Sequence, residues 1–389
     1  MVTREGARWH YLDSAATAQK PNVVIDAVAR ALGPDYATVH RGLYARSAEM
    51  TTAYEAARRE VAALIGGAEH ELVFTRGATE AINLVAQTWG VANLRPGDRI
   101  LLSLLEHHSN IVPWQLIRDR TGAEIDVCPL TPDGRIDLDA AEAMLSPAHK
   151  LVAFSHVSNV LGGVLDVARA VRMAHAVGAR ILIDGCQAVA RVPVDVAAFD
   201  CDFYVFSAHK LYGPTGIGAL WAKAELLGAM PPWQGGGSMI DRVTFAETTW
   251  APAPQRFEAG TPAIAEAIGF AAAARFVKAQ GLGAIHAHEA ALVKRARSEL
   301  GRINAVRLFG PEDSAGIVSF TIEGVHPHDL GTILDEENVA IRAGHHCAQP
   351  LMAALDIPAT ARASFALYSD DSDIAALVRG IERTLRIFA

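Results

Sequence analysis

From about residue 70 to residue 222, short apolar runs of strand length alternate with longer helical patterns. The runs fall at 71–74, 99–105, 151–155, 181–184, 203–206 and 218–221, and helical patterns at about 79–89, 114–120 and 167–177 fit between several of them. The runs are apolar throughout rather than at every second residue. That pattern predicts a mostly parallel sheet covered by helices on both faces. Such a sheet binds ligands beyond the carboxyl ends of its strands. The residues that follow the runs are Arg76-Gly77-Ala78-Thr79, Glu106-His107-His108, His156-Val157-Ser158-Asn159, Asp184-Gly185-Cys186-Gln187 and Ser207-Ala208-His209-Lys210. Five polar sets at five strand ends are more than a structural protein needs.

The chain has 389 residues, 51% of them hydrophobic, which is enough for two domains. We expect a large α/β domain over 14–265 and a smaller C-terminal α+β domain over 266–389, with residues 1–13 packed against the latter. Residues 223–262, rich in Gly, Pro, Thr and Trp, read as irregular, and a long helix is expected from near Ala263 to beyond Lys278. The C-terminal part predicts strands at 316–322, 339–342 and 363–367 and helices at 328–336 and 373–387. With 35 basic and 43 acidic residues the net charge is −8, which argues against a nucleic-acid partner. No apolar stretch has the length of a membrane helix, and no secretory pattern follows the first residues. Cys128, Cys186, Cys201 and Cys347 form no C-x-x-C pair, so a reducing cytoplasm is the expected setting, without a metal site or disulfides.

Lys210 follows an apolar strand, where an ammonium group is unfavourable unless something uses it. A Schiff base with an aldehyde cofactor, pyridoxal 5'-phosphate, is one such use. Asp184 follows another buried strand and could pair with a protonated pyridine nitrogen; Gln187 could bond the ring's phenolic oxygen. Gly77, Ala78 and Thr79 lie at a strand-to-helix turn whose N–H groups and hydroxyl could cradle a phosphate. Ser207 and His209 could add donors, and His107 could stack on the ring. Cys347 follows His345 and His346 and lies five residues after Arg342, and nearby positive charge favours a thiolate. Gly344 and Pro350 frame it as a loop.

With these residues in place, the chain resembles the fold-type I pyridoxal-phosphate enzymes, and among them the class V aminotransferase-like cysteine desulfurases of group II, the SufS-like members. The resemblance rests on YLDSAATAQKP at 11–21, VHRG at 39–42, TRGATEAINLVA at 75–86, EHHSNIVPW at 106–114, HVSNVLG at 156–162, DGCQAV at 184–189, FSAHKLYGPTGIG at 206–218, GGGSMI at 235–240, FEAGTP at 257–262, RAGHHCAQPLM at 342–352 and RASFALY at 362–368. It implies that Lys210 carries the cofactor and moves protons, and that Asp184, Gln187 and His107 hold its ring. Ala78, Thr79, Ser207 and His209 would bind the phosphate, with Thr261 donated by the neighbouring subunit of a homodimer. Arg362 would clamp the substrate carboxylate, with Asn159, Arg342 and His40 in the same pocket. Cys347 would be the nucleophile that takes sulfur from L-cysteine, or selenium from L-selenocysteine, before a sulfur-acceptor protein removes it for iron–sulfur clusters or another sulfur pathway.

Three other readings stay open on the residues alone: a selenocysteine lyase, a class V aminotransferase, and a sulfur-relay scaffold without catalysis. The Cys347 motif argues against the aminotransferase, and the retained Lys210, Asp184, His107, Arg362 and Cys347 argue against the scaffold. Cys128 and Cys201 read as buried and inert, and Cys186 as a small packing residue where relatives have Ala. Tyr44, Ala208 and Gln234 depart from the pattern of relatives. His286 and His288 point to opposite sides of a helix and His326 and His328 flank a turn proline, so neither pair reads as a metal site.

Overall fold

The computed structural model describes residue 2 and residues 6–389. Met1, Thr3, Arg4 and Glu5, part of the segment expected to pack on the C-terminal unit, lie outside the described residues.

Seven strands form the large sheet, in the spatial order Leu72–Thr75, Gly218–Ala222, Phe203–Ser207, Arg180–Asp184, His149–Ser155, Arg99–Ser103, Glu124–Cys128. Gly218–Ala222 pairs antiparallel with both its neighbours, and the other pairings are parallel. Six strands therefore run the same way, and their carboxyl ends share one edge. Alternate residues of one strand enter two different cores. Tyr204 and Phe206 join Phe154, Tyr54 and Phe270 on one face, while Phe203 and Val205 join Leu182, Ile82 and Trp114 on the other. A strand buried on both faces has no polar alternation, which is why these runs were legible.

Glu124–Cys128 was not anticipated. It is an edge strand in which Glu124 and Asp126 alternate with Ile125 and Val127, so it offers no continuous apolar run. The helices Asn22–Leu32 and Ala45–Leu64 were also missed; they pack with Ile264–Gln280 over one face of the sheet. The segment expected to be irregular contains the helix Ala224–Ala229 and a hairpin, Ile240–Val243 with Thr248–Trp250, whose Val243, Phe245 and Trp250 are exposed.

The C-terminal part is a four-stranded antiparallel sheet in the order Val306–Phe309, Ile317–Ile322, Thr360–Ser364, Arg342–Gly344, covered by Leu282–Leu300, Pro327–Glu336 and Asp371–Phe388. The strand expected at 339–342 is two pieces in two sheets. Val339–Ala340 pairs with His10–Tyr11, and Arg342–Gly344 turns away to pair with Thr360–Ser364. Leu12 joins Phe320, Phe365 and Leu377 in this core, and Asp13 bridges Ser364. The helix Ile264–Gln280 starts before residue 266 and puts Ala267, Phe270 and Val277 into the large sheet's core, so a division at 265/266 runs through a helix rather than a linker.

One buried ion pair fixes the loop that carries Thr261. Arg58, 2% exposed, donates from Nη2 to Glu258 at 2.9 Å and from Nη1 to the Leu72 carbonyl at 3.0 Å. Glu258 also accepts from the Phe74 N–H at 2.7 Å. Glu258→Ala leaves Arg58 with Glu55 as its remaining carboxylate, whose Oε2 accepts from Nε at 3.1 Å, so it should lower stability by about 3 kcal/mol, the low end for a broken buried pair, read from urea unfolding.

Candidate active site

The shared edge of the six parallel strands opens into a cavity of about 300 Å³ between the two sheets. Its wall contains Ala78, Thr79, His107, Asn159, Asp184, Gln187, Ser207, His209, Lys210, Arg342, Cys347 and Arg362, twelve of the fourteen residues that the sequence nominated. The other two stand elsewhere. His40, read as a pocket histidine, is exposed and bonds Glu55 through Nε2 at 2.8 Å. Thr261 is exposed on a separate surface cleft beside Glu258.

Each side chain is placed by the strand before it. Asp184 ends its strand and is nearly buried, and its Oδ1 accepts the Cys186 N–H at 2.9 Å. Lys210 ends the short turn Ala208–Lys210 directly after Phe203–Ser207. The carbonyl of its neighbour His209 accepts from Ala18 N at 3.0 Å, Thr17 Oγ1 at 3.2 Å and Lys20 Nζ at 3.2 Å, which anchors the turn. Gln187 donates from Nε2 to the Ala15 carbonyl at 2.7 Å.

Ser207 Oγ accepts the Ala78 N–H at 2.9 Å, at the start of the helix Ala78–Val85. Gly218 makes this contact possible. A Cβ there would stand 2.6 Å from the Cα of Gly77 and 2.6 Å from the Phe206 carbonyl. Thr79 and His209 line the same cavity. His107 Nδ1 accepts the Ser109 N–H at 3.1 Å, so the ring proton of the neutral imidazole sits on Nε2. Burial, helped by the Lys210 charge, pushes His107 down to about 4, so the ring is neutral near pH 7 and suited to stacking. Beneath it, burial raises Glu106 to about 7 although Ser103, Asn110 and the Ser155 N–H all donate to it.

The loop of Cys347 is held in an uncommon backbone state. His346 and Cys347 have φ of 53° and 55°, a region that disfavours side chains by on the order of 1 kcal/mol each. Its anchors are explicit. Asn159 Nδ2 donates to the His346 carbonyl at 2.8 Å, His346 Nε2 meets Thr360 Oγ1 at 2.9 Å, His108 N donates to the Cys347 carbonyl at 2.8 Å, and Gln349 N donates to His108 Nε2 at 3.1 Å. Asn159 also accepts from Arg362 Nη1 through its carbonyl at 2.8 Å. Arg362 is buried, and its Nε has no partner.

Three thiols are inert and one is available. Cys128, Cys186 and Cys201 are buried, and burial pushes the first two up to about 12 and the third higher still. Cys347 is exposed. A thiol reagent should titrate one group per native chain, and Cys347→Ser should leave none.

Acid should destabilise the fold. Burial holds His107, His156 and His209 at about 4 and His346 at about 3, against 6.5 for an exposed ring. Below 6.5 the unfolded chain takes up protons that the folded chain refuses, so stability falls as pH drops from 6.5 towards 4. Glu106 and Glu289 act oppositely, since burial raises both and their protonation favours the folded state as pH falls towards 4.5, but they are two groups against the four histidines. The urea midpoint should be lower at pH 5 than at pH 7.

The cavity suits a planar, phosphorylated aldehyde. Donor groups that suit a phosphate, the buried Asp184 carboxylate and Lys210 line the same cavity, and the Ser155 Oγ and Arg362 Nε lack partners. Among the described residues no group of three or more His, Cys, Asp or Glu could hold a metal ion.

The class follows from residues 10–377, which match the class-V aminotransferase family model; the chain belongs to that family of pyridoxal-phosphate enzymes. Within it, a protein from Escherichia coli O157:H7 named cysteine desulfurase is 49% identical over 379 residues, covering 97% of this chain and 93% of its own length. The crystal structure of the cysteine desulfurase CsdA from Escherichia coli is 42% identical, with a TM-score of 0.93 over 98% of this chain and 96% of that one. The apo structure of a cysteine desulfurase from Thermococcus onnurineus NA1 is 37% identical, with a TM-score of 0.93 over 97% and 94%.

Proposed function

We propose that this protein is a cysteine desulfurase that converts L-cysteine to L-alanine and keeps the sulfur on Cys347 as a persulfide. The observation that carries this reading is an exposed thiol, Cys347, in the wall of the same cavity as Lys210 and the buried guanidinium of Arg362. An aminotransferase needs the lysine and the arginine but has no use for the thiol.

Pyridoxal phosphate, when bound, supplies an electron sink for negative charge at the substrate's Cα. Ala78, Thr79, Ser207 and His209 would hold its phosphate, Asp184 and Gln187 would hold its ring atoms, and His107 would stack against the ring. Arg362 takes the substrate carboxylate with a planar fork of donors, and Asn159 keeps that fork and the Cys347 loop in one register. The Lys210 amine removes the Cα proton and later returns protons to the carbon fragment. The Cys347 thiolate attacks the substrate sulfur. A sulfur–sulfur bond forms as the carbon–sulfur bond breaks, its electron pair stays with the carbon fragment, and protonation of that fragment gives alanine.

The protein works as a homodimer. Thr261 and His40, which stand outside the cavity of their own chain, serve the partner's, and the exposed Leu43, Phe245 and Trp250 lie in the interface. A sulfur-acceptor protein collects the persulfide for iron–sulfur cluster assembly or another sulfur pathway, in a reducing cytoplasm that suits four free cysteines. No helix among the described residues is long and apolar enough to cross a membrane. The boundary between the two units is drawn near Gly281, between the helices Ile264–Gln280 and Leu282–Leu300. The test is quantitation of alanine and protein-bound persulfide from L-cysteine. Equal amounts in a single turnover support the reading, and 3-mercaptopyruvate with an aminated cofactor and no persulfide would replace it by transamination.

A further inference from the structure

Arg191 lies outside the cavity wall and has no role in the chemistry above, yet it joins the two halves of the site. It belongs to the turn that follows Asp184 and contains Gln187. There Ala188 N donates to the Gly185 carbonyl at 2.9 Å and Arg191 N to the Ala188 carbonyl at 2.8 Å. From this turn the Arg191 side chain crosses to the C-terminal unit. Its Nη1 donates to the Phe365 carbonyl at 3.0 Å and to Glu289 Oε2 in the helix Leu282–Leu300. Arg191 is 4% exposed and Glu289 1%, so neither charge is shared with solvent.

The fold reserves room for this nitrogen. Gly316 has a φ of 66°, and a Cβ there would stand 1.8 Å from Arg191 Nη1 and 2.2 Å from Glu289 Oε2. The Gly316 carbonyl accepts the Phe365 N–H at 2.8 Å, so both backbone groups of Phe365 are held. Phe365 stands directly after the strand Thr360–Ser364, three residues beyond Arg362. The small sheet fixes that strand against its own neighbours, but the cavity lies between two sheets. The distance from Arg362 to Asp184 and Gln187 therefore depends on contacts that cross from one sheet to the other. The Asn159 carbonyl holds the tip of Arg362, and Arg191 holds the backbone that carries it. A charge-assisted bond of this kind is strong, and a small misplacement of a binding group is costly.

We infer that Arg191, buried against Glu289, is a positioning residue that sets the Arg362 guanidinium at its working distance from the cofactor-holding turn. The inference rests on the reading of Arg362 as the clamp for the substrate carboxylate.

The test compares L-cysteine with cysteamine, which is L-cysteine without its carboxylate, as ligands of the holoenzyme in a Cys347→Ser background. Each dissociation constant is read from the change in cofactor absorbance. The clamp reading requires tighter binding of L-cysteine, and Arg362→Gln should abolish that preference. In Arg191→Met/Glu289→Leu, which removes both members of the pair and strands neither, the preference should fall about tenfold, the scale of one weakened hydrogen bond to a charged group. Cysteamine binding and cofactor retention should stay at the wild-type level. Gly316→Ala, which displaces Nη1 without removing a charge, should reproduce the fall, and it carries the test if the double variant does not fold. If the pair only braces the fold, the urea midpoint drops while the two constants move together, and the unchanged preference refutes the inference. Loss of preference in Arg362→Gln but not in either of the other variants would refute it while leaving the clamp reading intact. Equal binding of the two ligands with all three residues native would show that Arg362 is not the clamp, and the inference would fall with that reading.

Discussion

Lys210→Ala should reduce alanine formation from L-cysteine by about 10⁴-fold, the upper range for loss of a group that moves protons at the reacting carbon. The lysine is placed by the turn Ala208–Lys210, and the three donors to the His209 carbonyl belong to Thr17, Ala18 and Lys20, none of which the substitution touches. The variant should therefore keep its fold, and its urea midpoint should stay near the wild-type value. It should also lose the borohydride-dependent fixation of cofactor to the chain, which reads the covalent role apart from turnover. Normal alanine formation in Lys210→Ala would remove the assignment of this lysine.

Cys347→Ser should produce the second largest loss, on the order of 10³-fold in alanine formation, because a hydroxyl at that position cannot accept sulfur as a persulfide. The substitution should leave binding intact, since Arg362, Asn159 and Lys210 are unaltered. L-Cysteine should still change the absorbance of the bound cofactor with a dissociation constant close to that of the wild-type protein. Protein-bound persulfide should disappear altogether. The three remaining thiols are buried and held in the protonated form, so none can stand in for the lost one. Persulfide retained on the variant would show that another group takes the sulfur.

The site was legible wherever a side chain follows its own buried strand. Asp184, Lys210, Ser207 and Asn159 lie within a few residues of an apolar run, and parallel strands bring their carboxyl ends to one edge whatever the details of the loops. The edge strand Glu124–Cys128 and the helices of residues 22–64 were less legible, because half-exposed elements carry weaker patterns than buried ones. His40 shows the opposite limit. Its motif placed it in a pocket, but in a single chain it faces solvent and Glu55.

The amino-acid order by itself determined the class of sheet, the polar residues that its strand ends bring to one cavity and the thiol that follows two histidines. These depend on neighbours along the chain, whose relative positions are set by covalent geometry. Only the tertiary structure decided which charges meet. Asp13 touches Arg342 from 329 positions away, and Asn159 reaches the His346 carbonyl from 187. Such contacts follow from how two sheets and the N-terminal strand pack against each other, and short-range hydrogen-bonding and Coulomb forces then act on distances that no local pattern encodes.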